Sequence, residues 1–224
     1  PTMPLGLHFT AAHSGMRGDI EILNFSVPIT ERVLHGMSVF RRASMMARTL
    51  RNMSLSSFIS QARRSRDLDL SCSLMAGYSR GEVRVTSADP YAKPSIHHNF
   101  LSDPRDLVRL REAVQVGAGL LEHGAYRQLG AVRTSPANAV LDSDRALDAW
   151  ILTNVTTGAH LSGTCRMGPA ADGTAVVDQQ CRVHGVTGLR VADASVMPAI
   201  VRRGPYPTVL VIGERAADFI KQAS

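Results

Sequence analysis

No apolar run in this chain of 224 residues approaches the ~20 needed to span a membrane, and no basic segment followed by an apolar stretch opens it. A water-soluble protein is expected. Cysteine is scarce: Cys72, Cys165 and Cys181 form an odd set without CxxC spacing, which argues against a disulfide framework and against a zinc site. No metal is therefore expected, and a reducing compartment, the cytoplasm, suits this usage. The first residue is Pro1 rather than methionine, so a start further upstream is expected, and a targeting signal there would not be visible.

Acidic residues are missing from one long stretch. Residues 32–66 contain eight arginines and no aspartate or glutamate, so the net charge of +6 is local and the rest of the chain is near balance. Only Phe40 and Phe58 interleave this basic run, and no recognition motif accompanies it, which argues against a specific nucleic-acid partner. A solvated helix face or a docking surface is the expectation. With 44% hydrophobic residues the chain has enough apolar material for a real core, in one large domain or two small ones.

Periodicity sketches the elements. "GDIEILNFSVP" (18–28) alternates apolar and polar positions as a half-buried strand does. Residues 31–60 carry loosely helical spacing. "DLDLSCSLM" and "GEVRVTS", joined by "AGYSRG", suggest an antiparallel hairpin. The clearest helix starts at Asp103 as N-cap, with Pro104 in its first position, Asp106 in its first turn and Gly124 just past its end. Leu107, Leu110, Val114 and Leu121 form its apolar face. A second helix spans about Ser143–Thr153, with Leu147, Trp150 and Ile151 inward. From Gly158 onward glycine punctuates buried-type strands "AVV" and "GLRVAD", and "TVLVIGERAADFIKQ" closes the chain as an amphipathic helix with Val209, Ile212, Ala216 and Phe219 on one face. A domain boundary is expected near residue 153.

Three motifs follow in order: "HLSGTCRMG" (160–168), "VHGVTGLRVADASVMP" (183–198) and "RRGPYPTVLVIGERAADFI" (202–220). Singly, each is ambiguous. A histidine beside a glycine reads as a packed turn residue or as a catalyst. A short strand ending at Asp193 sits where α/β sheets often hold ligands. A helix opening after Pro205 and Pro207 offers free N–H groups and a positive dipole end, as any helix start does.

In this order and spacing, together with "SRGEVRVTSADPYAKPSIHHNFLSDPRDLVRL" (79–110), they resemble the C-terminal part of the glucose-methanol-choline (GMC) flavin oxidoreductases. The resemblance runs from about residue 68 to 221. It implies an α/β fold: an α+β substrate-binding domain with an antiparallel sheet over residues 1–153, and a segment over 154–224 that completes a Rossmann-like FAD-binding domain. The family's H-x-x-G-T base falls on His160, and a neutral imidazole suits removal of an alcohol's hydroxyl proton. Gly163 and Thr164 are then its positioning turn, and Ser162 and Cys165 are structural. Asp193, Ala194 and Ser195 are implied beside the pyrophosphate and ribityl chain of FAD. Pro205, Tyr206, Pro207, Thr208 and Val209 are implied at the pyrimidine end of its ring system.

Two departures stand out. Where the family usually has a second histidine or asparagine, five residues before the helix-opening threonine, this chain has Arg203. The resulting RGPxxT version resembles a subgroup associated with the bacterial redox cofactor mycofactocin. A fixed positive charge there suits an alkoxide or a carboxylate. Second, residues 1–60 hold no GxGxxG strand-turn-helix; "GMRGD" (15–19) lacks the flanking strand, third glycine and helix. His184, His97 and His98 are read as structural or surface residues.

The resemblance thus implies FAD-dependent oxidation of a small-molecule alcohol to an aldehyde or ketone, with oxygen or a redox carrier as electron acceptor. The missing N-terminal FAD-binding half is an expected partner. Two alternatives stay open: an FAD-dependent lyase on the same scaffold, and an incomplete fragment serving as an interaction module.

Overall fold

The computed structural model describes residues 6–12, 14–25, 69–128, 130 and 132–223. The strands are β1 (Gly6–Phe9), β2 (Ile20–Phe25), β3 (Asp69–Leu74), β4 (Glu82–Arg84) and β5 (Ser95–His97). The helices are α1 (Pro104–Leu121), α2 (Gly124–Gln128), α3 (Asn138–Leu141), α4 (Asp144–Asn154) and α5 (Tyr206–Ala223), with a short 3-10 turn at Ala194–Val196 before α5. The mixed α/β character expected from the sequence is observed. No helix among the described residues is long and apolar enough to cross a membrane.

The chain divides into two compact units, residues 1–8 with 21–72, and residues 9–20 with 73–224. Strands β1, β2 and β3 form a sheet in that order. Ile20 and Ile22, two residues apart on β2, are both buried, as period-2 alternation requires. The Arg-rich stretch 32–66 and the helical spacing over 31–60 lie outside the described residues, as do Val27 and Pro28.

Within the second unit, α1 begins where its caps dictate. The Asp103 carboxylate accepts from the Arg105 N–H at 3.0 Å and takes two further bonds from the Arg105 guanidinium. Hydrogen bonding to Arg105 holds the Asp103 carboxyl down at about 2. Leu110 and Val114 are buried and Leu107 and Leu121 half-buried, which is the apolar face the spacing predicts. Helix α4 packs on α1, with Leu147 and Ile151 buried. Each such side chain stabilises the fold by about 1.5–3 kcal/mol. At the edge of this contact, Arg111 on α1 grips Asp148 on α4 with two bonds of 2.8 Å.

Three local expectations differ from the structure. The hairpin does not join β3 to β4; β4 instead pairs antiparallel with β5, Val83 opposite Ile96. The linking segment is captured elsewhere. The Met75 N–H donates to the Asp19 carbonyl at 2.7 Å, and the Tyr78 and Ser79 N–H groups both donate to the Asp106 carboxylate on α1. "AVV" and "GLRVAD" form isolated bridges, Met167 with Val177, Val177 with Val183 and Arg182 with Arg190, rather than strands. Left-handed conformations at Cys181 (φ 63), Gly185 and Gly188 lie between these pairings. Finally, α5 starts at Tyr206, ahead of Thr208, because proline is compatible with a helix's first turn.

Within this unit lies a buried ion network. Arg109 donates to Asp19 at 2.6 Å and to Asp106 at 2.5 Å, and the three are 3%, 0% and 1% exposed. Asp19 also accepts from the Ala11 N–H and the Ser14 hydroxyl. Burial alone pushes both carboxyls up, but the hydrogen bonds of Ser14 and Arg109 on Asp19, and of Ser79, Tyr78 and Arg109 on Asp106, hold both below their ordinary value. The Tyr78 ring lies beneath two guanidinium groups, 3.6 Å from that of Arg105 and 4.7 Å from that of Arg109.

Candidate functional site

The first two motifs are laced together by backbone hydrogen bonds. The N–H groups of Gly163, Cys165 and Met167 donate to the carbonyls of Ala194, Ser195 and Val196 at 3.3, 3.0 and 2.8 Å. Gly163 has φ +86, and a Cβ on it would lie 3.4 Å from the Met197 carbonyl. Both the backbone conformation and this close approach favour glycine there. Asp193 caps the 3-10 turn, its carboxylate accepting from the Ser195 N–H at 2.8 Å.

The third motif joins them from the other side. Helix α5 packs on the 3-10 turn, and its first bond runs from the Val209 N–H to the Pro205 carbonyl at 2.9 Å. Its first turn carries no acidic residue, so the positive end of its dipole is not neutralised locally. His160 reaches the same place. Its Cε1 lies 3.9 Å from where a Cβ on Gly204 would stand. His160, Thr164, Asp193, Arg203, Tyr206 and Pro207 are exposed, and Gly163, Ala194, Ser195, Pro205, Thr208 and Val209 are half-buried. The residues implied by the three motifs therefore converge on one region.

One polar atom in this region lacks a partner. The Ser195 hydroxyl oxygen is buried and makes no hydrogen bond, a condition that costs roughly 1–3 kcal/mol unless something satisfies it. It sits in the turn whose backbone is bonded to the histidine segment. An orphaned hydroxyl, a glycine-lined approach and a helix N-terminus with no acid in its first turn suit a large polar cofactor with hydrogen-bonding ring edges and phosphates. The residues present fit such a group.

His184 is a structural residue, its Nε2 3.0 Å from the Gly168 carbonyl. Cys181 is buried and Cys72 half-buried; burial pushes both thiols up, that of Cys72 to about 11, which leaves neither suited to nucleophilic work at neutral pH.

Sequence reasoning missed the residues that complete the region. A pocket of about 510 Å³ is lined by Arg17, Gly18, Val201, Arg202, Arg203, Gly204, Pro207 and Thr208. The "GMRGD" loop thus supplies one wall. Arg202 donates to the Arg17 carbonyl at 2.7 Å, and Arg203 to the Arg202 carbonyl at 2.6 Å. No sequence signal links positions so far apart.

The GMC oxidoreductase family model matches residues 77–213, more than half of the chain. The oxygen-dependent choline dehydrogenase 1 of Chromohalobacter salexigens is 38% identical over 147 residues, 66% of this chain and 26% of that protein. A fungal aryl-alcohol oxidase superposes with a TM-score of 0.62 at 34% identity, over 70% of this chain and 26% of that one. An Aspergillus oryzae RIB40 formate oxidase bearing an arginine substitution, studied for its effect on FAD modification, gives 0.70 at 26% identity over 92% of this chain and 32% of that one. The chain spans about a quarter of the length of the curated relatives it matches.

Proposed function

Since the chain belongs to the GMC oxidoreductase family, we propose that it forms the substrate-facing part of an FAD-dependent enzyme that oxidises an alcohol to an aldehyde or ketone. The observation that carries this reading is the convergence of His160 with the Arg203–Thr208 segment, Cε1 standing 3.9 Å from a Gly204 Cβ position. When bound, FAD supplies the hydride acceptor. His160 takes the hydroxyl proton as carbon-bound hydride departs. Arg203 offers fixed positive charge to the oxygen that loses the proton.

The cofactor is held by Gly163 and Thr164 at the histidine turn, by Asp193, Ala194 and Ser195, whose orphaned hydroxyl gains a partner, and by Pro205, Tyr206, Pro207, Thr208 and Val209 at the start of α5. Residues 1–153 act as the substrate-binding domain and 154–224 complete the FAD-binding domain. The cofactor's diphosphate is seated by chain corresponding to the relatives' remaining length. Exposed apolar residues on α5, Leu210 at 53% and Val211 at 60%, support a covering surface of that kind. Oxygen or a redox carrier accepts the electrons.

The test is the visible absorption of the purified chain with FAD, alone and with the polypeptide that carries the diphosphate site, followed anaerobically as an alcohol is added. Bleaching that disappears in a His160→Ala variant is the expected result. Bound but unbleached flavin with turnover of an alcohol would instead indicate a lyase. A chain that takes up no FAD in either setting would sink the proposal and favour an interaction module.

A further inference from the structure

The pocket beside His160 carries more positive charge than proton removal requires. Arg17, Arg202 and Arg203 all line it, and no acidic residue does. Among the described residues, none of the three is ion-paired, whereas Arg105, Arg109, Arg111 and Arg166 each hold a carboxylate. The nearest acid in sequence, Asp19, is buried and consumed by Arg109, Ser14 and the Ala11 N–H.

The arrangement is built rather than incidental. The buried Asp19–Arg109 bridge anchors the chain two residues after Arg17, and Thr10 accepts from the Gly18 N–H at 2.8 Å. Arg202 in turn grips the Arg17 carbonyl. The Arg17 side chain, itself exposed, is thereby presented to the pocket from a loop anchored at both ends. Three like charges around one opening repel each other, and the N-terminus of α5, which has no acid in its first turn, adds to the same sign. An anion in the pocket relieves all of these at once. Guanidinium groups match the flat two-oxygen face of a carboxylate, which they bind through paired N–H donors.

We infer that this pocket receives a carboxylate, and that the substrate is an alcohol that bears one, held by Arg17 and Arg203 with its hydroxyl toward His160. This rests on the reading of His160 as the base; it adds the substrate's chemical class. Arg202, whose guanidinium already holds the Arg17 backbone, is a positioning residue, and Arg203, whose Nη1 donates to the Arg202 carbonyl, meets the carboxylate with its remaining N–H groups. A volume of about 510 Å³ lies within the range of small-molecule sites.

The experiment is calorimetric titration of the full chain, free of flavin, with mandelate, with 1-phenyl-1,2-ethanediol, which replaces the carboxylate by a neutral group, and with inorganic phosphate. Mandelate is expected to bind at least about tenfold more tightly than the diol, one good charge-assisted pair being worth that much. Arg17→Gln and Arg203→Gln should each remove that preference, and Arg145→Gln, an exposed change on α4, should keep it. Equal binding of mandelate and diol, or a preference unchanged in Arg17→Gln, would overturn the inference. Phosphate binding tighter than mandelate would also overturn it and make the pocket a phosphate site. A His160→Ala chain is expected to bind mandelate normally, so failure of the base assignment leaves this result readable.

Discussion

The imidazole of His160 and the backbone of Gly204 are neighbours, Cε1 lying 3.9 Å from the point a Cβ would occupy. That spacing is an ordinary van der Waals contact, so a methyl group fits at Gly204 and only a longer side chain turned toward His160 would crowd the ring. His160→Ala is expected to slow flavin reduction by an alcohol about 10²–10⁴-fold, the usual worth of a positioned acid–base group. Gly204→Ala adds a methyl at contact distance and should be nearly silent. Gly204→Leu must displace the ring, and a misplacement near 1 Å costs about 10²-fold. Stopped-flow reduction of the reconstituted enzyme separates these. A Gly204→Leu enzyme as fast as the parent would detach the histidine from this loop.

Ser195 carries the second expectation. Its hydroxyl is buried without a partner, so Ser195→Ala is expected to leave the flavin-free chain equally stable or more stable by up to about 1–3 kcal/mol. The same change should weaken FAD binding, because the hydroxyl then has no bond to offer. Urea titration of the chain and fluorescence titration with FAD give the two signs. A variant that is both less stable and unchanged in FAD affinity would remove Ser195 from the cofactor site.

Gly163 is a test of backbone geometry. With φ at +86 and the Met197 carbonyl 3.4 Å from a Cβ, Gly163→Ala is expected to cost about 1–2 kcal/mol through left-handed strain. The same shift would loosen the bonds from Gly163 to Ala194 and from Cys165 to Ser195, so His160 should lose position. Thermal unfolding and flavin reduction should both move; a change in neither would show that this turn tolerates a side chain.

What was legible in the sequence was local. Asp103, Pro104 and Asp106 announced α1 because a cap acts within one turn, and the apolar spacing of Val209, Ile212, Ala216 and Phe219 announced α5. Motif order singled out His160 and Arg203, and the structure places His160 beside Gly204, the residue after Arg203. Arg17 was not, because its place depends on Arg202 and on the Asp19–Arg109 bridge, contacts between distant segments. Asp106 was read only as a first-turn acid. Its burial, and its capture of the Tyr78 and Ser79 N–H groups, undid the expected β3–β4 hairpin. Likewise Cys181 takes a left-handed conformation at φ 63, at a residue type that gives no warning of a turn.

The Asp19–Arg109–Asp106 network yields a pH dependence with a definite sign. Both carboxyls titrate below their ordinary value in the folded chain. Such groups contribute stability that is fully present above the unfolded pKa, about 3.9 for aspartate, and lost as pH falls through the lower folded value. Arg109→Met removes the buried cation and leaves two buried carboxylates unpaired by it, which should cost about 3–5 kcal/mol at pH 7. The deficit should shrink as pH falls from about 5 towards 3, because protonation relieves the variant's carboxylates while it weakens the parent's bridge. Urea denaturation across that range measures both. Arg215→Met, at a pair on the exposed side of α5, is the control and should cost no more than about 1 kcal/mol at any pH. A constant Arg109→Met deficit from pH 7 to 3 would mean that the guanidinium stabilises the unit by packing against Tyr78 rather than by charge.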